Sequence, residues 1–323
     1  MRLRRSDPTA PGYRRRGRRH LDVDGRPLTD PAALARIREL VIPPAWRDVW
    51  ICPDPRGHIQ AVGTDAAGRR QYLYHDAWRR EREKAKFDHV LSVAQRLPRL
   101  RKRLARDLAG ERPTRERVLA AVVRLIDLGL FRVGNDEYAK GEDATFGVTT
   151  LLPEHVRITR SGMEFRYPAK GGIERVCAVT DDQVCAVLTQ LRRRRDRSRL
   201  FAYRDGTGWH EIHSDDVNAY LKGASGIEMT AKDFRTWHAT VLAALLLAEH
   251  DPAGVTLTRR RRTVARVMRE VAEELGNTPA VAKASYVDPR VVDLYHDGVT
   301  VTVPRTGSRT ATERAVLDLL HES

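Results

Sequence analysis

The chain has 323 residues, 41% of them hydrophobic, and its 58 Lys+Arg against 43 Asp+Glu give a formal net charge of +15. That length exceeds what one core usually fills and points to two domains, and the basic excess points to a polyanionic partner, nucleic acid first. A membrane span is excluded by the lack of any run of about 18 apolar residues. The three cysteines, Cys52, Cys177 and Cys185, have no histidines at ligand spacing, so neither a zinc site nor a disulfide framework is expected and the thiols read as reduced.

Residues 1–20 hold eight arginines and one acid, Asp7, with no apolar period, which predicts a basic flexible arm able to ride on phosphates. Lacking an apolar stretch, this segment is no secretory signal, and the protein is expected in the cytoplasm, on the nucleoid. A short hairpin is predicted from residues 18–23 and the stretch beyond the Asp24-Gly25 turn signal, then a helix over 32–40. Three β-rich runs, 41–51, 57–63 and 68–74, are separated by Pro, Asp and Gly turns and predict a small antiparallel sheet. The last run sets Arg69, Arg70, Gln71, Tyr72 and Tyr74 side by side, a mixture suited to phosphates and base edges. Packing of alternate tyrosines with the arginines in water is the plainer reading of the same residues.

Phe87, Val90, Leu91, Ala94 and Leu97 keep a helical period over 81–97 and open a second domain, with the boundary near residue 89. The division is then a basic arm over 1–20, a β-rich domain over 21–89 and a mainly helical domain over 90–323. A helix over 114–129 ends at Gly129, and Arg132 follows on the junction, where an isolated arginine is usually a surface ion pair. Strands are predicted over 147–152, 156–159, 163–167 and 173–179, a three- or four-stranded insert. Lys170 sits at the tip of the Pro168-Ala-Lys-Gly-Gly172 turn, where most lysines are solvated but one pressed into a groove can donate a proton. Helices resume over 181–191 and run into an arginine cluster over 192–199. Ser214 caps a helix over 215–222, and Thr230-Ala-Lys-Asp233 has the form of a capping box for a helix through 248. Arg235, in its first turn, aims a permanent cation at whatever anion meets that helix end. His238, one turn on, reads as a packing residue.

After a basic run over 259–262, a helix over 263–275 closes at Gly276, and Thr278-Pro279 starts the next helical segment, which carries Tyr286. Short helices follow over 289–295 and 311–320. A phenol titrates near pH ~10 and is a poor nucleophile unless cations stabilise the developing charge. Attack on a phosphodiester builds charge on equatorial oxygens, which two fork-shaped guanidiniums can hold without a metal. The chain has no phosphate-binding G-x-x-x-x-G-K-[ST] loop.

Taken in order, Ile42-Pro-Pro-Ala-Trp46, Val49-Trp-Ile51, Gly57-His-Ile-Gln-Ala61, Arg70-Gln-Tyr72, Gly129-x-x-Arg132-x-Gly134, Lys170 in its hairpin, Lys232-Asp-Phe-Arg-Thr236, Gly276-Asn-Thr-Pro279 and Lys283-x-x-Tyr286 resemble the type IB DNA topoisomerases of the bacterial and poxvirus-like group. The resemblance implies an α+β protein: a small β-rich N-terminal domain and a larger, mainly helical catalytic domain with a three-stranded β insert, closing as a clamp on double-stranded DNA. It makes Tyr286 the nucleophile, Arg132 and Arg235 the phosphate clamps and Lys170 the general acid, with DNA contacts from Arg69, Arg70, Gln71, Tyr72, Tyr74, Lys232 and Lys283. The position before Thr278-Pro279, usually histidine in poxvirus members, is Asn277, which keeps an N–H donor but no imidazolium charge. The implied enzyme is a monomer needing no cofactor, no metal and no ATP. A tyrosine recombinase is the rival with similar Arg, Lys, Arg, Tyr logic, although it usually has His where Lys232 stands and a helical N-terminal domain. A non-enzymatic DNA-binding protein explains the charge but not the joint presence of Arg132, Lys170, Arg235 and Tyr286.

Overall fold

The computed structural model describes residues 2–129, 131–194, 198–250, 252–303 and 307–321. Of the arginine cluster expected over 192–199, residues 195–197 lie outside the described residues. Two compact units divide the chain, Met1–Asp88 and His89–Ser323.

The first unit is an antiparallel sheet of β1 (Tyr13–Arg16), β2 (Arg19–Leu21), β3 (Arg47–Ile51), β4 (Ile59–Thr64) and β5 (Arg70–Tyr74) in the order β2-β1-β3-β4-β5. Helix α1 (Pro31–Glu39) begins where Asp30 accepts from the Ala32 amide and Pro31 presets the first turn. Ile37 of α1 packs with Val49, Ile51 and Ala61 of the sheet. The basic segment expected to be a free arm is instead built into this unit. Arg4 bridges to Gly57, the Ser6 hydroxyl donates to the Ile59 carbonyl at 2.9 Å, and the Trp50 indole donates to the Ala10 carbonyl at 3.0 Å. Period-2 packing of Tyr13 and Arg15 against the sheet outweighs the charge, which the arginines discharge on backbone carbonyls and into water.

Helix α2 (Asp76–Leu108) is 33 residues long and continues through Pro98, beyond the period expected over 81–97. Leu97, Leu100, Leu104 and Leu108 continue one buried stripe, while Pro98 lies on the exposed face, so packing outweighs the lost hydrogen bond. The division between the units falls within this helix, after Asp88.

In the second unit α3 (Arg115–Gly129) is buried on all sides from Val118 to Val123 and packs against α4 (Asp182–Leu191), α5 (Ser214–Ser225) and α6 (Ala231–Ala248). A three-stranded antiparallel sheet, β6 (Val156–Thr159), β7 (Gly162–Pro168) and β8 (Glu174–Val179), forms the insert. The strand predicted over 147–152 is a 3-10 turn at Val148–Thr150, because the Thr149 and Thr150 hydroxyls donate to the nearby carbonyls of Val133 and Gly147 and hold the backbone in a turn. A small hairpin of β9 (Ala202–Arg204) and β10 (Trp209–Glu211) completes the strands. Helix α7 (Leu257–Leu275) starts at the Thr256 cap, so the basic run over 259–262 lies in its first turns rather than before it. Then come α8 (Pro279–Ser285), α9 (Pro289–Asp297) and α10 (Arg309–His321). The molecule is thus α+β, a β-rich first unit and a mainly helical second one. Among the described residues no helix is long and apolar enough to cross a membrane.

Candidate active site

Helix caps place the candidate residues. Thr230 and Asp233 form the expected capping box, with the Thr230 amide donating to Asp233 at 2.8 Å, and this fixes the start of α6 and hence Arg235. Gly276 caps α7 at φ 59°, a left-handed geometry that costs glycine little. Asn277 follows directly. The Thr278 side chain accepts from the Val281 amide and Pro279 takes the first helical position, so α8 starts two residues after Asn277 and ends at Tyr286, its C-terminal cap. The segment after Tyr286 is anchored from α6: the Thr240 hydroxyl accepts from the Asp288 amide at 3.1 Å and shares its proton between the Thr236 carbonyl at 2.9 Å and the Tyr286 carbonyl at 3.3 Å.

Arg132, Arg235, Asn277 and Tyr286 come together in one cluster. An Nη2 of Arg132 donates to the Gly276 carbonyl and to Asn277 Oδ1, each at 3.0 Å. Arg235 is 4% exposed; its Nη2 donates to the Leu275 carbonyl at 2.7 Å, and its guanidinium carbon lies 5.5 Å from the centre of the Tyr286 ring. Burial first, and the like charge of Arg132 second, lower the Arg235 pKa to about 10, against the opposing pull of Tyr286. Arg132 is lowered as well, again chiefly by burial. Two desolvated guanidiniums side by side cost free energy unless an anion completes the site, and an anionic phosphate fits that need. The Asn277 Nδ2 group is buried with no hydrogen-bond partner among the described residues, a donor ready for such an anion.

Lys170 stays apart: it is exposed at its hairpin tip, and no hydrogen bond or ion pair joins it to the cluster among the described residues. Lys232 and Lys283 are also exposed, on α6 and α8. In the first unit Arg70, Tyr72 and Tyr74 share the exposed face of β5. The two phenol rings stack at 6.0 Å between centroids and Arg70 lies 5.8 Å from the Tyr72 ring centre. Arg69 and Gln71 are both tied to Asp65, at 3.0 and 2.9 Å. His238 is outside the cluster, 3.2 Å from the buried Asp127. Burial alone raises Asp127, but hydrogen bonds from His238 and Arg101 hold its carboxyl far below the usual range, so this is a structural ion network.

Two site neighbours are missed by sequence reasoning. Tyr167 on β7 is 2% exposed and feels the charges of Arg132, Arg175 and Arg235, yet burial pushes its phenol well up, so it stays protonated and is a poor nucleophile. Arg175 on β8 donates to the Glu274 carbonyl at 3.0 Å and to the Gly129 carbonyl at 3.1 Å. A signal for it exists: in strand register it is in phase with Cys177 and the buried Val179, an unusual place for a lone cation.

Comparison with known proteins places the chain in a family. The family described as eukaryotic DNA topoisomerase I, catalytic core, matches residues 75–299, and that described as bacterial DNA topoisomerase IB, N-terminal domain, matches residues 17–65. The chain is 30% identical over 271 residues to the DNA topoisomerase 1B of Acanthamoeba polyphaga mimivirus, covering 82% of this chain and 80% of the relative. It is 22% identical over 242 residues to the DNA topoisomerase I of monkeypox virus, covering 73% and 72%, and the DNA topoisomerase 1B of vaccinia virus matches to the same extent. On the matched catalytic core, the matched N-terminal domain and the mimivirus relative together, the chain belongs to the type IB DNA topoisomerases, isomerases that act on DNA.

Proposed function

We propose that the protein relaxes supercoiled duplex DNA by cutting one strand, holding its 3′ end on Tyr286 and resealing it, without ATP or metal. The observation that carries this reading is the convergence of Arg132 and Arg235 on the Gly276–Tyr286 segment. One guanidinium lies 5.5 Å from the Tyr286 ring and the other is bonded to Asn277. In the first step the Tyr286 phenol gives its proton to water, its oxygen bonds to the scissile phosphorus, and the bond from phosphorus to the 5′ oxygen breaks. Arg132, Arg235 and the free Asn277 amide hold the equatorial oxygens, where such preorganised donors act most strongly. The departing oxygen takes a proton from Lys170, whose exposed hairpin tip is free to enter a DNA groove. The phosphotyrosine conserves the bond energy, so the reverse attack by the 5′ hydroxyl reseals the strand while Lys170 recovers its proton.

Exposed Arg70, Tyr72 and Tyr74, supported by Arg69 and Gln71, are our candidate DNA contacts in the first unit, and Lys232 and Lys283 in the second. The reading includes a monomer acting on nucleoid DNA. Its test is supercoiled plasmid incubated with the protein in EDTA without ATP and quenched with detergent. The expected result is relaxed plasmid and a covalent protein–DNA adduct, both lost in Tyr286→Phe while DNA binding persists. Binding without relaxation would reduce the protein to a DNA-binding module, and strand exchange between two specific sites would make it a recombinase.

A further inference from the structure

The end of α7 gathers three arginines. Its last carbonyls, orphaned by the helix end and carrying partial negative charge, each accept a guanidinium from a different element. Glu274 accepts from Arg175 of β8 at 3.0 Å, Leu275 from Arg235 of α6 at 2.7 Å, and Gly276 from Arg132 beyond α3 at 3.0 Å. Gly276 turns the chain out of the helix at φ 59°, a left-handed geometry that glycine adopts at little cost and that presents these carbonyls together. Arg175 also grips a second helix end. Its other Nη donates to the Gly129 carbonyl at 3.1 Å, where α3 finishes three residues before Arg132.

One planar guanidinium therefore spans the end of the helix that leads to Arg132 and the end of the helix that leads to Asn277. It does so from the strand that leaves the Lys170 hairpin. No carboxylate pairs with Arg175 among the described residues, and its charge works against both neighbours, lowering Arg132 and Arg235. A third cation set against two others is a poor device for stability alone. It suits a site that must be spaced correctly and is completed by an anion.

We propose that Arg175 is a positioning residue for strand cleavage and resealing: by bridging the Gly129 and Glu274 carbonyls it sets the spacing between Arg132 and Asn277 and ties that spacing to the Lys170 hairpin. This rests on the tyrosine chemistry proposed above. Arg175 itself bonds backbone, and its effect reaches the phosphate through Arg132 and Asn277. Because it shapes the transition state shared by both directions, its loss slows cleavage and resealing by one factor and leaves their equilibrium unchanged.

The test compares wild type, Arg175→Ala and Arg175→Lys on supercoiled plasmid with enzyme in excess. Adduct formation is followed by detergent quench, resealing by adding salt before the quench, and folding by thermal melting. Arg175→Ala is expected to slow adduct formation at saturating enzyme by about 10²-fold, the loss typical of a small misplacement. The enzyme concentration for half-saturation stays unchanged, resealing slows equally, and the trapped fraction at equilibrium equals that of wild type. Arg175→Lys is expected to remain slow, because one ammonium keeps the charge but cannot span two carbonyls as the fork does; it carries the test if Arg175→Ala does not fold. A wild-type rate in either variant, or weaker half-saturation with an unchanged maximal rate, overturns the positioning role. If wild type itself forms no adduct, the tyrosine chemistry falls and this role with it; a wild-type adduct with unslowed variants removes only the role of Arg175.

Discussion

At residue 277 the chain carries an amide where the poxvirus members of the family usually carry an imidazole. Asn277 Oδ1 accepts from Arg132 at 3.0 Å, which turns the other end of the amide, Nδ2, into a buried donor without a partner among the described residues. A neutral donor fixed by a neighbouring cation can hold a developing oxyanion without adding charge, and losing one such donor typically costs about 10² to 10³ in rate. Asn277→Ala is therefore expected to slow single-turnover adduct formation by about 10²-fold. Asn277→His, which restores a donor, should stay within about tenfold of wild type, since replacing one hydrogen-bond donor by another costs little. The measurement is the same detergent-quenched time course. A dead Asn277→His variant would mean that the amide does something a donor of similar reach cannot. Residues of this kind are legible in the sequence, because Gly276-Asn-Thr-Pro279 and Lys283-x-x-Tyr286 encode caps and spacing within a dozen residues. For Arg175 the strand phase marks only an inward-facing cation; its partners are hidden, because the carbonyls it grips lie 99 and 46 residues away in sequence and only tertiary packing brings them there.

Elements are legible where one interaction dominates and obscure where two compete. The capping box at Thr230, the Gly276 cap and the three-stranded insert follow from local chemistry and stand as expected. The helical period expected over 81–97 continues past Pro98, whose place on the exposed face of α2 lets Leu100 and Leu104 extend the buried stripe. The hairpin of β9 and β10 has three residues per strand, too short for an alternating pattern to register. The arginine-rich start of the chain reads as a free arm because its charge hides a pattern of period two. Gly12 gives a sharp test of its built-in state: a Cβ there would lie 2.1 Å from the Trp50 indole nitrogen, and Trp50 is 3% exposed. Gly12→Ala is expected to destabilise the first unit by about 1–3 kcal/mol through overpacking. In a free arm the same change would be neutral or slightly stabilising. Urea unfolding followed by tryptophan fluorescence distinguishes the two.

On the scale of the whole molecule the net charge of +15 acts through where the cations are free. Many arginines are spent internally, as Arg101 is on Asp127 and Glu313 and Arg124 is on Asp181. Others stay exposed beside aromatic or apolar surface, as Arg70 does next to Tyr72 and Tyr74. DNA binding that neutralises several phosphates releases counterions, so affinity should fall steeply with salt, with a log–log slope of about −5 or steeper. Arg70→Ala should weaken binding to all duplexes alike and make that slope shallower by about 1, the mark of one lost phosphate contact. Asn277→Ala carries no charge change and should leave the slope unaltered while slowing the chemistry, which separates holding DNA from cutting it. Filter binding of a labelled duplex across a salt series, with Tyr286→Phe as the background so that no adduct forms, reads both slopes, and the detergent-quenched time course with Tyr286 in place reads the chemistry. An Arg70→Ala slope equal to that of the background would take Arg70 out of the DNA contacts and leave the stacked Tyr72 and Tyr74 rings as the remaining candidates on that face of β5.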